Sequence, residues 1–201
     1  MKNTTLYGIL ALVLLVASLT AAYAMWSETL KINVYANTGE VNVKWSSVST
    51  NDEGNTTDPN HDKDVGKCEA VIINDTSVSN EPFNKINITI TNAYPCYNCT
   101  VTATVDNIGT IPVKLLSAKI ILSNGSEYTL YDAKDDTNKF GQDFNFTHYD
   151  VVVNRDETED QIHPGGNATY TISIHVKQPA EENTLYHFAI EFVFAQWNEV
   201  P

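Results

Sequence analysis

The sequence predicts an all-β protein that folds as a single antiparallel β-sandwich of the jelly-roll or immunoglobulin-like kind. Three observations support this prediction. Apolar and polar residues alternate along much of the chain, turn signals separate the alternating runs, and no stretch has the period of an amphipathic helix. Alternation places one face of a strand in a core and the other in water, as in antiparallel sheets. The runs suggest about nine strands, which suits two packed sheets.

The predicted strands follow one another along the whole chain. The first carries Leu30, Ile32 and Val34 on one face, and the turn Asn37-Thr38-Gly39 separates it from a second run, residues 41–45. Similar alternation recurs at residues 86–90, 101–105, 170–176 and 188–194. The turn signals between these runs are Asn107-Ile108-Gly109, Asn124-Gly125 and Pro164-Gly165-Gly166.

The first 24 residues have the organisation of a secretory signal. Lys2 precedes an apolar run that ends in the small-x-small triplet Ala22-Tyr23-Ala24. We expect cleavage after Ala24, although the run is also long enough for an uncleaved anchor. No later segment could span a membrane, so the mature protein is expected to be extracellular, at the cell surface, without membrane contact.

The charge of the chain is strongly acidic. It has 25 Asp and Glu residues against 12 Lys and Arg, a net charge of −13. Such a surface repels nucleic acid and anionic lipid headgroups, so neither is an expected partner. The excess acid either keeps an exported protein soluble or binds divalent cations.

Three cysteines occur in the chain, at Cys68, Cys96 and Cys99. An exported protein can form disulfides, and an odd count leaves one thiol over. The Cys-x-x-Cys pair could be redox-active or half of a zinc site, but no second Cys pair or suitable His pair exists. We predict a structural bridge from Cys68 to one member of the pair, without deciding which.

One acidic stretch resembles a calcium-binding loop. Asp58, Asn60, Asp62 and Asp64 alternate, and Glu69 follows eleven residues after Asp58, close to the ligand spacing of a calcium loop. Lys63 stands where such loops need Gly, and no flanking helices are evident. The stretch is therefore either a Ca²⁺ site, with calcium as the one cofactor suggested, or a solvated acidic loop.

Asn-x-Ser/Thr sequons are frequent. They predict a glycosylated surface, although a composition rich in Asn and Thr also creates sequons by chance. The candidate acceptors are Asn55, Asn74, Asn87, Asn98, Asn124, Asn145 and Asn167.

No catalytic motif is present in the sequence. None of the five His residues forms His-Glu-x-x-His, and there is no Gly-x-Ser-x-Gly elbow, phosphate-binding loop or dinucleotide fingerprint. Met1 and Met25 leave no axial Met for a cupredoxin copper site. We therefore predict a protein that is not an enzyme and has no catalytic residues.

Several short motifs together resemble the exported fibre proteins of the TasA/camelysin family. After the Ala22-Tyr23-Ala24 triplet come Trp26, Ser27 and Glu28, and a Gly-led strand follows at residues 39–43. Residues 107–112 are similar to the family's Asn-x-Gly-Thr-x-Pro corner, and residues 164–171 are similar to its Pro-Gly start of a late strand. The terminal Gln196-Trp197-Asn198 is similar to archaeal members that form bundling pili.

The resemblance implies a mode of assembly. Members polymerise by donor-strand exchange, in which the N-terminal strand of one subunit completes the sandwich of its neighbour. The chain would then comprise a signal peptide, 1–24, an N-terminal donor strand, 25–37, and a β-sandwich domain, 38–201. Some members are described as metalloproteases, but this sequence lacks the zinc motif. The implied polymerisation residues are Trp26, Leu30, Ile32 and Val34.

Residue chemistry fits such an exchange and fits an ordinary first strand of the same domain equally well. A secreted strand with Leu30, Ile32 and Val34 on one face cannot stay exposed without aggregating, so it joins its own sheet or that of a partner. We therefore expect a structural subunit of a pilus or biofilm matrix fibre, a homopolymer whose filaments bundle with their neighbours. The alternative is a monomeric surface adhesin or carbohydrate-binding sandwich, with or without Ca²⁺.

Overall fold

A computed structural model describes residues 2–24, 31–53, 57–74, 85–156, 161–178, 180 and 188–201. The chain divides into two compact units, residues 1–38 and residues 39–201. The described part of the first unit contains the helix α1, Lys2–Ala24. The described part of the second unit contains eleven strands: β1 Val43–Thr50, β2 Lys67–Ile73, β3 Lys85–Thr91, β4 Asn98–Asn107, β5 Val113–Leu122, β6 Glu127–Asp132, β7 Thr137–Asn138, β8 Asp143–Asn145, β9 Tyr149–Asp156, β10 Asn167–Val176 and β11 Phe188–Gln196.

Helix α1 covers the segment that the sequence predicts to be a secretory signal. It is rich in Leu and Ala, which are strong helix formers, and its side chains from residue 3 to residue 18 are all exposed. Among the residues that the structure describes, no helix is both long enough and apolar enough to cross a membrane.

Two antiparallel sheets pack against each other in the second unit. One has the strand order β1-β4-β10-β9-β8 and the other has the order β11-β5-β6-β7. Aromatic rings join them: Trp45 of β1 and Tyr170 of β10 both contact Phe192 of β11, with ring centroids 5.6 Å and 4.7 Å away. The predicted all-β sandwich is therefore confirmed.

The core lies between the central strands of the two sheets. Alternate residues of β4, β5, β9 and β10 point inward and are buried, and full burial of each large apolar side chain stabilises the fold by about 1.5–3 kcal/mol. The period-two alternation predicted at residues 101–105 and 170–176 is seen in the structure. The members of this core that are at most 1% exposed include Val101, Ala103, Val113, Leu115, Ala118, Ile120, Val151, Val153 and Tyr170.

Strands β2 and β3 form a separate two-stranded ribbon. Its residues pair in one continuous antiparallel register, from Lys67 opposite Thr91 to Ile73 opposite Lys85. The ribbon is apolar on one face, where Ala70, Ile88 and Ile90 pack against the core of the sandwich.

The described part of the first predicted strand is not a strand in the structure. Residues 31–42, which include Ile32 and Val34, belong to no strand, and β1 begins only at Val43. Trp26 and Leu30 lie outside the described residues. The alternation is real, but a strand exists only where a second strand completes its hydrogen-bond ladder. Within the described chain this segment has no such partner.

Candidate functional site

One corner of the sandwich unit is organised by the side chain of Asn107, which is fully buried. Its Nδ2 donates hydrogen bonds to the carbonyl oxygens of Ile111 and Ile162, both at 2.9 Å. Its Oδ1 accepts from the backbone N–H of Gly109 at 2.9 Å, and its own N–H donates to the carbonyl of Gly166. Asn107 thus connects the corner after β4 to the Pro-Gly turn before β10 through its side chain and its backbone N–H.

The start of the sandwich unit is held against the same corner. The N–H of Glu40 donates to Thr110 Oγ1 at 2.8 Å, and the N–H of Thr110 donates back to the Glu40 carbonyl at 3.0 Å. The Gly109 N–H donates to the carbonyl of Asn42, and a Cβ on Gly109 would lie only 2.4 Å from the Glu40 oxygen. The chain therefore enters the sandwich unit at Gly39 through a fixed, close-packed contact.

The segment that precedes this corner, residues 31–38, is called the N-terminal arm below. It forms no regular secondary structure, and every one of its residues is exposed. Three of them are large and apolar: Ile32 is 85% exposed, Val34 is 83% exposed and Tyr35 is 92% exposed. Soluble monomers rarely leave contiguous apolar side chains in water, so the arm is a candidate interaction segment.

The sandwich unit has an incompletely covered side. Edge strands β1 and β11 meet there through the contact of Trp45 with Phe192. Their inward side chains pack against the core but remain partly exposed, whereas those of the central strands are buried. The apolar core is therefore only partly covered along these two edges. The partly exposed set comprises Val43, Trp45, Val48, Phe188, Ile190, Phe192 and Phe194.

Two buried carboxylates organise the loop between β1 and β2. Asp58, which is 1% exposed, accepts hydrogen bonds from the N–H groups of Val65 at 3.1 Å and Gly66 at 2.9 Å, and from the Tyr94 hydroxyl at 2.8 Å. Burial alone would raise the pKa of Asp58, but these three donors outweigh it and lower the pKa. Burial and the bond to Asp58 raise the pKa of Tyr94 to about 12.

The second carboxylate, Asp52, lies beside the disulfide. It is 2% exposed and accepts hydrogen bonds from the N–H of Cys68 at 3.2 Å and from the hydroxyl of Tyr97. Burial is the largest cause that raises the pKa of Tyr97, and the hydrogen bond to Asp52 raises it further. A side chain on Gly66 would overlap the Tyr97 ring, with its Cβ at 2.3 Å. The loop, the Tyr94–Tyr97 segment and the disulfide thus form one packed cluster.

The five predicted calcium ligands are not gathered around a common point. Asp58 turns inward to the donors described above, Asn60, Asp62 and Asp64 are exposed, and Glu69 pairs with Lys67. The described residues contain no group of three or more His, Cys, Asp or Glu side chains placed to hold a metal ion. Asp58 is thus an internal hydrogen-bond acceptor of this loop, and Ca²⁺ binding by the stretch stays a prediction.

We expect Asp58→Asn to lower the melting temperature at pH 7, equally in Ca²⁺ and in EDTA. The amide cannot accept all three hydrogen bonds, and its NH₂ group would face another donor. Asp62→Asn, a change of the same charge at an exposed position of the same loop, is the control and should leave the melting temperature unchanged. Equal melting temperatures for the two variants would contradict the role of Asp58.

The same variant has an expected pH dependence. A carboxylate whose pKa is lowered on folding stabilises the fold above its unfolded pKa, and that contribution is lost as the pH falls through the folded pKa. The advantage of the wild type over Asp58→Asn should therefore be constant near neutrality and shrink below about pH 4, since the ordinary pKa is 3.8. Thermal melts of both proteins across this pH range show whether the stability difference shrinks as the pH falls.

The bridge predicted from Cys68 is present, and its partner is Cys99. The two Cα atoms are 5.9 Å apart, and both residues are fully buried. The bridge joins β2 of the ribbon to β4 of the five-stranded sheet. Cys96 is the free cysteine and is exposed.

The predicted glycosylation sites differ in accessibility. Asn74, Asn87, Asn124, Asn145 and Asn167 are exposed, and Asn145 Oδ1 accepts a hydrogen bond from Lys177 Nζ at 2.7 Å. Asn98 is half-buried at the start of β4, with its side-chain oxygen enclosed. Asn55 lies outside the described residues. Glycosylation stays a prediction, with Asn98 the least accessible of the described acceptors.

Sequence reasoning missed Asp52, Tyr94 and Tyr97 as organisers of the loop. The available signal was the Tyr-rich Tyr94-Pro95-Cys96-Tyr97 turn between two strands, because buried tyrosines need a hydrogen-bond partner and the nearby loop is acidic. The pairing itself depends on the fold, which brings together positions 45 residues apart for Asp52 and Tyr97.

Comparison with known proteins found no relatives. No protein-family model matches the chain, and no curated protein or solved structure is significantly similar to it. The resemblance to exported fibre proteins therefore rests on the motifs in the sequence, and the function is argued from the arm and the sandwich.

Proposed function

We propose that this protein is the structural, non-enzymatic subunit of an extracellular filament, a pilus or a biofilm matrix fibre. Its partner is a second copy of the same chain. Residues 25–37 of one subunit act as a donor strand that completes the sandwich of the next, so that the filament grows by donor-strand complementation.

The exposure of Ile32 and Val34 carries this proposal. Both side chains are more than four-fifths exposed on an arm that belongs to no sheet. Burying them on a partner would remove apolar area from water at about 25 cal/mol per Å². A strand added to a sheet edge gains main-chain hydrogen bonds as well, and alternate side-chain pockets set its register. An exposed segment with alternating apolar residues thus has the properties expected of a donor strand in a subunit that has not yet assembled.

The proposed contact is of a kind that produces a filament when it does not close into a ring. Because Gly39 and Glu40 are held beside Thr110, the arm leaves each sandwich at the same point. The contact joins two different surfaces, the arm of one copy and the sandwich of another. Such a heterologous contact, repeated without closing, produces an open filament.

Export is supported by the N-terminal leader and by the buried disulfide. The leader is apolar and ends in a cleavage triplet, and the bridge between Cys68 and Cys99 is typical of proteins that fold in an oxidising compartment. Trp197, which is 47% exposed directly after β11, is an apolar surface residue available to contacts between neighbouring filaments. Lateral bundling is accordingly part of the proposal.

Deletion of residues 25–35 from the mature protein tests the proposal. We expect electron microscopy to show filaments of the full mature chain and none of the deletion variant, which should remain a soluble sandwich of reduced stability. A synthetic peptide of residues 25–38 should raise the melting temperature of the deletion variant, because it refills the unoccupied strand position.

Two results would contradict the proposal. Filaments that form from protein truncated before Val41 would exclude the arm as the donor. A full-length mature chain that stays monomeric at high concentration, and whose melting temperature does not respond to the peptide, would favour a monomeric surface adhesin instead.

A further inference from the structure

We infer that β11 is the acceptor strand: the N-terminal arm of a second copy pairs with the edge of β11 that faces away from β5. This inference rests on the proposed function and specifies the docking surface for the arm. It follows from a comparison of the sheet edges in the described part of the chain.

The edges of the two large sheets differ in what they offer a new strand. At one side of the sandwich they are β7 and β8, which have only two and three residues. At the other side, β1 runs beside the ribbon, since Thr50 Oγ1 donates to the Cys68 carbonyl at 2.9 Å. Strand β11 has nine residues, and within the described chain it is paired with β5 alone. A long apolar edge of this kind is a template for strand addition.

The core is also incomplete along β11. Its inward residues Phe188, Ile190, Phe192 and Phe194 are all partly exposed. On the adjacent strand β5, the inward residues Val113, Leu115, Ala118 and Ile120 are at most 1% exposed, and only Leu122 at the end of the strand is partly exposed. This difference in exposure is expected if a strand that pairs with the free edge of β11 in the filament is missing from the single subunit. Apolar side chains of an added strand would complete the burial.

The arm matches this edge in pattern and length. Ile32 and Val34 alternate with polar Lys31 and Asn33, as the inward side chains of β11 alternate with its outward ones. Nine strand residues span roughly 30 Å, and the eight residues of the arm span roughly 26 Å, most of the length of β11.

The outer edge of the ribbon, β3, is the rival acceptor. It has seven residues, and its inward isoleucines are also partly exposed. However, its outward face is polar throughout, with Asn87 a candidate glycan acceptor, whereas β11 carries Val193 and two alanines on its outward face. The outward face of β11, which has these three apolar residues beside Glu191, is less polar than that of β3, and this favours β11 as the edge that is covered.

Cysteine pairs on the outward faces of the two strands distinguish the acceptors. In the full mature chain with Cys96→Ser, one cysteine is placed in the arm and one in β11, and filaments are oxidised and run on a non-reducing gel. Disulfides need Cα atoms about 4.4–6.8 Å apart, so only residues on adjacent strands link. The arm positions are Lys31, Asn33 and Tyr35, the β11 positions are Ala189, Glu191 and Val193, and the matched β3 positions are Asn87 and Thr89.

We expect a ladder of covalent oligomers from at least one arm–β11 pair, abolished by reductant. Filaments that link only through β3, or through neither strand, would overturn the assignment of β11 and leave donor-strand exchange standing. If the mature chain with Cys96→Ser alone forms no filaments, and none of the variants with introduced cysteines forms linked oligomers, donor-strand exchange is wrong, and the assignment of β11 is wrong with it.

Discussion

Ile32→Asp is expected to abolish filament formation while leaving the subunit folded. In the free subunit the side chain at position 32 is 85% exposed, so a carboxylate there remains in water and the melting temperature of the monomer should not change. In the filament the same carboxylate would be buried against apolar side chains without a partner. That costs about 3 kcal/mol or more. An association constant would fall by roughly a hundred-fold or more.

Lys31→Ala is the matched control for this variant. The altered residue is adjacent in the arm but on its polar face, where a single exposed charge contributes little, so filaments should form normally. Sedimentation and electron microscopy report assembly, and a thermal melt at low concentration reports the monomer. A large drop in the melting temperature of monomeric Ile32→Asp would show that the arm belongs to its own subunit's sheet, contrary to the proposal.

The sandwich was predictable from the sequence because each of its central strands has one face in the core and one face toward the solvent. Residues 101–105 of β4 and 170–176 of β10 alternate cleanly, and their apolar members are the buried ones. Where a second sheet covers one face of a strand, alternate side chains are buried, so period two indicates which residues form the core. The packing partners are not local. Nothing in the pattern indicated that β1 and β11 would be the edges with partly exposed cores.

The N-terminal arm shows where a local pattern stops being sufficient. Ile32 and Val34 have the same alternation as β4, yet residues 31–42 form no strand, because pairing depends on a neighbour that the sequence does not specify. The pattern correctly marks a segment suited to a sheet edge. It does not say whether that edge lies in the same chain or in another.

The acidic loop could not be predicted for a different reason. Alternating acidic residues look alike in a sequence whether they bind a metal ion, face water or accept hydrogen bonds. Asp58 and Asp62 are chemically identical, but one is buried against three donors and the other is exposed. Only the folded positions of Gly66 and Tyr94 distinguish them. The choice between Cys96 and Cys99 was open on the same grounds, since it depends on which sulfur reaches Cys68.

Removal of the disulfide by the double change Cys68→Ala and Cys99→Ala is expected to lower the free energy of unfolding by about 3–4 kcal/mol. The bridge closes a loop between positions 31 residues apart, and in the chain-entropy model a loop of this size restricts the unfolded chain by about that amount. A typical domain is stable by only about 5–15 kcal/mol, so the loss is a large fraction of the total. Urea denaturation at equilibrium measures it.

Cys96→Ser is the control for the double variant, and it should unfold at the same urea concentration as the wild type. Cys96 is exposed and free, whereas Cys68 and Cys99 are fully buried. The Cys68 N–H also donates to Asp52, which accepts the Tyr97 hydroxyl, so loosening β2 from β4 should disturb this buried cluster as well. Near-ultraviolet circular dichroism should accordingly lose tyrosine signal in the double variant and keep it in Cys96→Ser. Detection of Cys68 as a free thiol in the secreted protein, or equal stability of all three proteins, would contradict the structural role of the bridge.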